Sequence, residues 1–453
     1  MIVSIKKGND CQRSSGLRGY FFYLLKAANI KTLGASALGG ALEFYVFQLF
    51  GFFAPVFGHL FFPSDNQIIS VLFGFGLFAA GFITRPIGGI VFGYIGDRFG
   101  RKTSLYSSLM LMGSTTLLIG LMPTYREIGI IAPLLIICLR LLQGVSVGGE
   151  LPGGLVFSIE HADPKYTGFV GGFLESGYAG GTVLGALAGL IYSLPGIPDW
   201  SWRLFFLFGF ILSLLGLYIR KFTLETPDFR SIKKSTEKSP LIKGIRSQPE
   251  TLILAIVISS FAGISLFINE IFMPYYLKQL PFMSDSFARV CGVASCCCYI
   301  PLMPIAGLYS DRVGRLKPMT IGGLLLIVLM GIMFSCGNLL NKYYIFIIYV
   351  SIGSSITLLC APLQTCIAEL FDKKIRCSCF SFCQNIGLGI FGGLTPMVAT
   401  IIINEPKGNL LLAVCIVVWG IVALIAMNKL LNGKYYKLIK TSLTPKKTTF
   451  VGQ

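Results

Sequence analysis

The sequence predicts an all-α integral membrane protein of twelve transmembrane helices in two six-helix halves. Three observations lead there: a composition too apolar for a soluble domain, twelve apolar segments of spanning length, and a basic turn motif that occurs twice. Hydrophobic residues make up 54% of the 453 positions and charged residues 13%, with a mean hydropathy of +0.74. A soluble globular domain carries about a quarter charged residues, so the balance argues against a water-soluble enzyme.

The apolar segments fall near 34–58, 68–94, 103–122, 128–152, 168–193, 201–219, 252–277, 286–309, 318–338, 343–368, 377–403 and 409–431. Each has about 20 residues or more, enough for a helix to cross a hydrocarbon core of about 30 Å. The organisation expected is a cytoplasmic N-terminal segment at 1–33, a first half at 34–219, a cytoplasmic linker at 220–251, a second half at 252–431 and a cytoplasmic tail at 432–453. The linker is rich in Lys, Ser and Pro, and nothing in it suggests a separate soluble domain.

A net charge of +18 raises the question of a nucleic-acid partner, and its distribution answers it. Basic residues collect on alternate loops: Lys6 to Lys31 before the first span, Arg98 to Lys102 after the second, Arg220 to Arg246 in the linker, Arg312 to Lys317, Lys373 to Arg376, and Lys434 to Lys447. The opposite loops carry little beyond Arg126, Lys278, Lys342 and Lys407. Such asymmetry sets membrane orientation, with basic loops inside. It predicts a multi-pass protein of the cell (inner, cytoplasmic) membrane with both termini cytoplasmic, membrane lipid as its surroundings, and no nucleic-acid partner. The first 30 residues are polar and basic without an apolar core and small-residue cleavage site, so an uncleaved first span is expected.

The second span ends in GYIGDRFGRK, Gly93 to Lys102, and 214 residues later the eighth ends in GLYSDRVGRLK, Gly307 to Lys317. A second pair follows the fourth and tenth spans: EHADPKYTG from Glu160 and ELFDKKIRC from Glu369, matching at Glu, Asp and Lys. Two matches at similar offsets indicate a tandem repeat of six spans in the same orientation. Repeats of that kind are related by an axis along the membrane normal and hold the substrate at their interface.

Other classes lack their signatures. A nucleotide-driven pump needs G-x-x-x-x-G-K-[ST], and GRKT at Gly100 lacks the first glycine. The thirteen cysteines include Cys296, Cys297 and Cys298 in sequence; consecutive helical residues point about 100° apart and cannot converge on one metal. They read as small packing residues, and His59 and His161 as surface or loop histidines. No cofactor, metal or enzymatic activity is expected.

The repeated turn, Gly93, Asp97, Arg98, Gly100 and Arg101, then Gly307, Asp311, Arg312, Gly314 and Arg315, resembles the loop motif of the major facilitator superfamily. A closer resemblance runs over nearly the whole chain to the metabolite:proton symporter branch, which includes proline/betaine, 2-oxoglutarate, citrate and shikimate porters. Its strings are LEFY at Leu42, FFP at Phe61, FITRPIGG at Phe82, RLLQGVSVGGE at Arg140, WRLFF at Trp202, ETPDF at Glu225 and FGGLTP at Phe391. The resemblance implies alternating access between the halves and proton-coupled symport of a small-molecule solute by a monomer. Gating is assigned to the turn motifs with Glu160, Glu369 and Arg376, because Asp and Arg at helix ends can form ion pairs and helix-terminus contacts that lock one state.

Ionisable residues inside spans point to the solute, since a charge at the bilayer centre costs about 2.5–3.5 kcal/mol even on the lenient insertion scale. They are Glu43, Arg85, Arg140, Glu150, Glu175 and Glu270. Arg140, Gln143, Val147 and Glu150 share a helical face, yet Arg140 and Glu150 lie about 15 Å apart along it, so Arg140 is expected to take an anion from elsewhere and to face the cavity. The symporter pattern usually carries an acid just after the first-span aromatic; here the string is Glu43-Phe44-Tyr45-Val46-Phe47, and that carboxylate is absent. Glu43 is the nearest substitute, with Glu175 and Glu150 as alternatives. Tyr45, Phe47, Tyr178 and Tyr276 are candidate cavity aromatics, able to take a quaternary ammonium by cation–π contact. Two intramembrane arginines favour a solute with a carboxylate, with an ion pair to another span as the equal alternative for Arg85 and a structural ion pair as the alternative for Arg140. Proline/betaine-type osmolytes lead, organic acids follow, and an uncoupled or exchange carrier or a transporter-derived sensor is the alternative.

Overall fold

The computed structural model describes residues 30–432 except 100, 149, 161, 222–239, 281 and 373–374; within helices the side chains at 93, 97, 98, 101 and 150, among others, are also left aside. The expectations at Gly93, Asp97, Arg98, Gly100, Arg101 and Glu150, and those at 1–29, 222–239 and 433–453, therefore lie outside the described residues. All regular structure among the described residues is helical.

Helix α1 (Ile30–Phe52) runs into α2 (Ala54–Phe61) through a 60° bend. Pro55, in the first turn of α2, has no N–H to continue the α1 ladder. The span expected at 34–58 is thus a bent pair, as Pro55 within it leads one to expect. Asn66 caps α3 (Gln67–Ile83) by accepting the N–H of Ile68 at 2.9 Å, and α4 (Arg85–Phe99) follows after Thr84. Next come α5 (Arg101–Gly120) and a single turn at Tyr125–Ile128 closed by a reciprocal Thr124–Glu127 capping box. The Thr124 N–H holds the Glu127 carboxyl below its ordinary pKa.

Within the segment expected at 128–152, α6 (Ile131–Val147) ends before Gly148, and α7 (Glu150–Glu160) starts beyond residue 149, which lies outside the described residues. Then come α8 (Thr167–Tyr192), α9 (Trp202–Lys221), the short α10 (Pro240–Ser247) and α11 (Pro249–Phe267). A π-helical turn at Ile268–Phe272 joins α11 to α12 (Met273–Lys278). Helices α13 (Asp285–Cys297) and α14 (Tyr299–Val313) form one span, followed by α15 (Leu316–Cys336) and α16 (Lys342–Glu369). A second π turn, Asn385–Gly392, links α17 (Arg376–Gln384) to α18 (Gly393–Ile403), and α19 (Gly408–Asn432) closes the described chain.

Among the described residues, eight helical stretches are long and apolar enough to cross a bilayer, nine when α1–α2 counts as one span. The predicted segments at 103–122, 128–152 and 168–193 are helical as α5, α6 and α8 but fall short in length or apolarity. Helix α5 is rich in Ser and Thr. Helix α8 carries glycine where it crosses α1: a Cβ on Gly181 would lie 2.1 Å from the Ala41 carbonyl oxygen, so only glycine permits that approach. Large apolar side chains such as Ile90, Leu118, Ile305 and Ile425 face outward, as a lipid-facing surface requires. The chain is a multi-pass integral membrane protein.

Two apolar clusters fill the interior. One is built on aromatic rings, with Phe50 on Phe57 and Phe206, and Trp202 on the same two rings. The other centres on α15 and α16, with Met330, Ile352 and Leu359. Phe267 and Ile271, from the second part of the chain, belong to the aromatic cluster and lock the two together. Cys296 is buried, Cys297 exposed and Cys298 intermediate, three directions rather than one.

Candidate transport pathway and gate

At one end of the bundle the second copy of the repeated turn meets the start of α8. The Asp311 carboxylate accepts the backbone N–H groups of Gly168 and Phe169, both at 2.8 Å, and the Arg315 guanidinium at 2.6 Å. Arg315 also donates to Glu369 at 3.0 Å and to Thr167 at 2.8 Å, while Thr167 donates to Glu369 at 2.7 Å. A carboxylate on free N–H groups at a helix N-terminus is favoured by the helix dipole as well as by the bonds. Burial opposes the charge on Arg315, but Glu369 and Asp311 outweigh it and hold the guanidinium above its ordinary pKa. The backbones touch: a Cβ on Gly307 would lie 2.1 Å from the Gly168 carbonyl oxygen. Nearby, Arg376 pairs with Glu160 at 3.2 Å. Expected gating residues Asp311, Arg315 and Glu369 therefore meet in one network, Glu160 and Arg376 in a neighbouring pair, and Arg312 lies exposed beside them.

Between the ends lies a layer of buried charge. Glu43 interacts electrostatically with Arg85, whose guanidinium stacks on the Phe47 and Phe82 rings at 4.4 and 4.3 Å. The Arg85 Nε finds no acceptor among the described residues. Glu270, in the π turn, accepts the side-chain N–H of Gln48 at 2.5 Å across a sequence separation of 222 residues. Beside it Asn269 donates to Ser295 and Tyr299, and Tyr349 donates to the Asn269 carbonyl at 2.6 Å. Glu175, on α8, is partly exposed.

Arg140 and Tyr45 sit elsewhere than the sequence suggested. Arg140 is fully buried in the aromatic cluster, with its guanidinium 3.9 Å from the Phe47 ring and 4.3 Å from Phe50. It donates to the carbonyls of Leu77, Phe47 and Phe78 and to Gln143 at 3.2–3.4 Å. Carbonyls and ring faces take the place of the anion expected there. Gln143 donates in turn to Thr116 at 3.0 Å, and Tyr45 donates to the Phe205 carbonyl at 2.9 Å, turned into α9. Val46 packs toward Gly209 of the same helix.

At the end opposite the Asp311 network, a cavity of about 410 Å³ opens between α1–α2, α3, the π turn and α13. Gly51, Phe52, Pro55, Ile271 and Tyr275 form its walls, with His59, Lys278, Asp285 and Arg289 at its rim. Asp285 pairs with Lys278 at 3.7 Å and Arg289 at 3.5 Å. Gln48 lies one turn from Gly51 and Glu270 adjoins Ile271, so their contact is buried behind two residues of the cavity wall.

The family model described as Major Facilitator Superfamily matches residues 36–396. The chain belongs to the major facilitator superfamily. Membership places it among transport proteins rather than enzymes. It is 30% identical over 414 residues to the glycine betaine/proline/ectoine/pipecolic acid transporter OusA of Dickeya dadantii (strain 3937), covering 87% of this chain and 82% of that one. The proline/betaine transporter of Escherichia coli (strain K12) gives 30% over the same length, 87% and 82%. A putative proline/betaine transporter of Staphylococcus aureus (strain COL) gives 31% over 388 residues, 83% and 82%. In fold the chain is similar to a D-xylose-proton symporter, with TM-score 0.71 at 18% identity over 88% of this chain and 98% of that one. The inward-open xylose transporter XylE from E. coli gives 0.69 at 16%, over 91% and 99%.

For this superfamily member, sequence reasoning passed over Gln48, Thr167, Asn269, Tyr299 and Tyr349. The available signal was polarity inside an apolar segment, which Gln48 and Asn269 both show; only packing reveals that their partners lie in other spans.

Proposed function

We propose that the chain is a secondary transporter moving a small carboxylate-bearing solute across the cytoplasmic membrane by alternating access, as a proton symporter. The carrying observation is the arrangement along one axis: the network at Asp311 at one end, buried charge between, and a cavity at the other end. Closure at one end with opening at the other is what an alternating-access state requires. The basic loops support a cytoplasmic position for the Asp311 network, and with it the reading of this state as outward-facing. We assign twelve spans in halves at 34–219 and 252–431 joined by a linker at 220–251, with α5, α6 and α8 completing the nine apolar stretches.

Arg85 is the anchor for the solute carboxylate, because its Nε has no acceptor among the described residues and Glu43 already sits nearby. An Arg fork suits a carboxylate through two parallel bonds. Proline/betaine-type solutes are favoured over organic acids because the relatives at 30% and 31% identity bear such names.

The test is uptake of labelled proline, betaine and 2-oxoglutarate into proteoliposomes, with and without an imposed inward proton gradient. Gradient-dependent accumulation of one solute class supports symport. Equilibration indifferent to the gradient points to an uncoupled or exchange carrier, and binding without flux to a sensor.

A further inference from the structure

We infer that Glu270 carries the coupled proton, and that its contact with Gln48 is a latch between the spans that must separate as the cavity deepens. This assignment rests on the symport reading above. Glu43 has a cation beside it in Arg85. Glu270 is 2% exposed, and no salt bridge reaches it among the described residues; the groups facing it from neighbouring helices are Glu175, Cys296, Tyr299, Tyr349 and Cys360. None is a cation, so a proton is the partner left to neutralise this carboxylate.

Gln48 is suited to either protonation state. Its amide N–H donates to the carboxylate, while its Oε1 has no hydrogen-bond partner among the described residues and can accept the O–H of a protonated Glu270. Both side chains are buried, at 1% and 2% exposure, while their neighbours Gly51 and Ile271 line the cavity, so deepening of the cavity by one turn is what would bring water to the pair. The proton enters from the outward cavity, binds the Glu270 carboxylate to give the neutral acid, and leaves from the same oxygen once the opposite side opens.

The backbone supports this use. The π turn at Ile268–Phe272 inserts one residue into the α-helical ladder, a distortion frequent at functional sites. Tyr349 on the Asn269 carbonyl, and the Asn269 amide on Ser295 and Tyr299, pin that turn to α13, α14 and α16. With Asn269 held toward those helices, its neighbour Glu270 meets α1.

The experiment compares wild type, Glu270→Gln and Gln48→Leu in proteoliposomes, each first shown to be monodisperse by size exclusion. The expected result for Glu270→Gln is loss of gradient-driven accumulation and of the pH dependence of solute exchange, with exchange itself still measurable. Gln48→Leu, which removes the latch but leaves the Glu270 carboxylate, is expected to shift the pH midpoint of exchange and to lower gradient-driven accumulation without abolishing it. Accumulation or a pH profile like wild type in Glu270→Gln would overturn the assignment, as would loss of exchange together with accumulation. Wild type without uptake of any solute would sink the transport reading itself, a different result from coupled wild type beside a coupled Glu270→Gln.

Discussion

The Asp311 carboxylate accepts the backbone N–H of Gly168 at 2.8 Å, bridging 143 residues of sequence to cap a helix to which Asp311 does not belong. With the Phe169 N–H and Arg315 it forms a network in which one acid satisfies a helix terminus and a guanidinium together, the network proposed above as the gate.

Replacing the charge should weaken that gate. Asp311 and Arg315 have side chains only 4% and 8% exposed, and removing one partner of a buried ion pair costs about 3–5 kcal/mol. Asp311→Asn is therefore expected to shift the population toward the inward-open state by roughly a hundredfold or more. Cys366, buried in α16 one turn before Glu369, reports it: labelling by a membrane-permeant maleimide, read by mass spectrometry, should rise. Unchanged labelling would remove Asp311 from the gate.

Shape should matter there as much as charge. A Cβ on Gly168 would lie 2.1 Å from the Arg315 guanidinium and 2.7 Å from both Asp311 and the Gly307 carbonyl. Gly168→Ala should raise Cys366 labelling with all charges intact, whereas Gly180→Ala, with nothing within 4 Å of the new methyl, should not. Equal behaviour of the two variants would contradict the close contact.

Arg140 and Arg85 should separate by readout. Arg140 is caged by three carbonyls and stacked rings, and buried acceptors left unmade cost about 1–3 kcal/mol each. Arg140→Lys, which loses the planar fork, should lower the melting temperature in detergent by several degrees. Arg85→Lys should leave melting nearer wild type and raise the solute KM about tenfold, the value of one charge-assisted bond of about 1.5 kcal/mol or more. The reverse pattern would exchange their roles.

The polar cluster that pins the π turn should be stabilising. Tyr349→Phe removes the hydroxyl donor to the Asn269 carbonyl in a site with no exposure. A loss of about 1–3 kcal/mol is expected, read as a lower melting temperature. Melting indistinguishable from wild type would show that the turn holds without this bond.

Much of the Asp311 network was legible beforehand because it is written in a repeated local string. Asp311 and Arg315 belong to one turn, Glu369 and Arg376 to another, and charge at a helix end is conspicuous between apolar spans. Thr167 and the N–H groups of Gly168 and Phe169 were not legible, since a backbone donor has no sequence signature. Arg140 misled for a related reason: helical spacing identified its face, but carbonyls from α1 and α3 that satisfy it are invisible in a residue pattern.

The sequence by itself determined the membrane class, the repeat and the basic loops, because apolar length and charge placement are properties of consecutive residues. Only the tertiary structure decided which buried carboxylate has a cation and which has an amide. Glu43 and Arg85 are 42 positions apart, and Gln48 and Glu270 are 222 apart; Coulomb energy and hydrogen bonding depend on distance in space, and helix packing sets that distance.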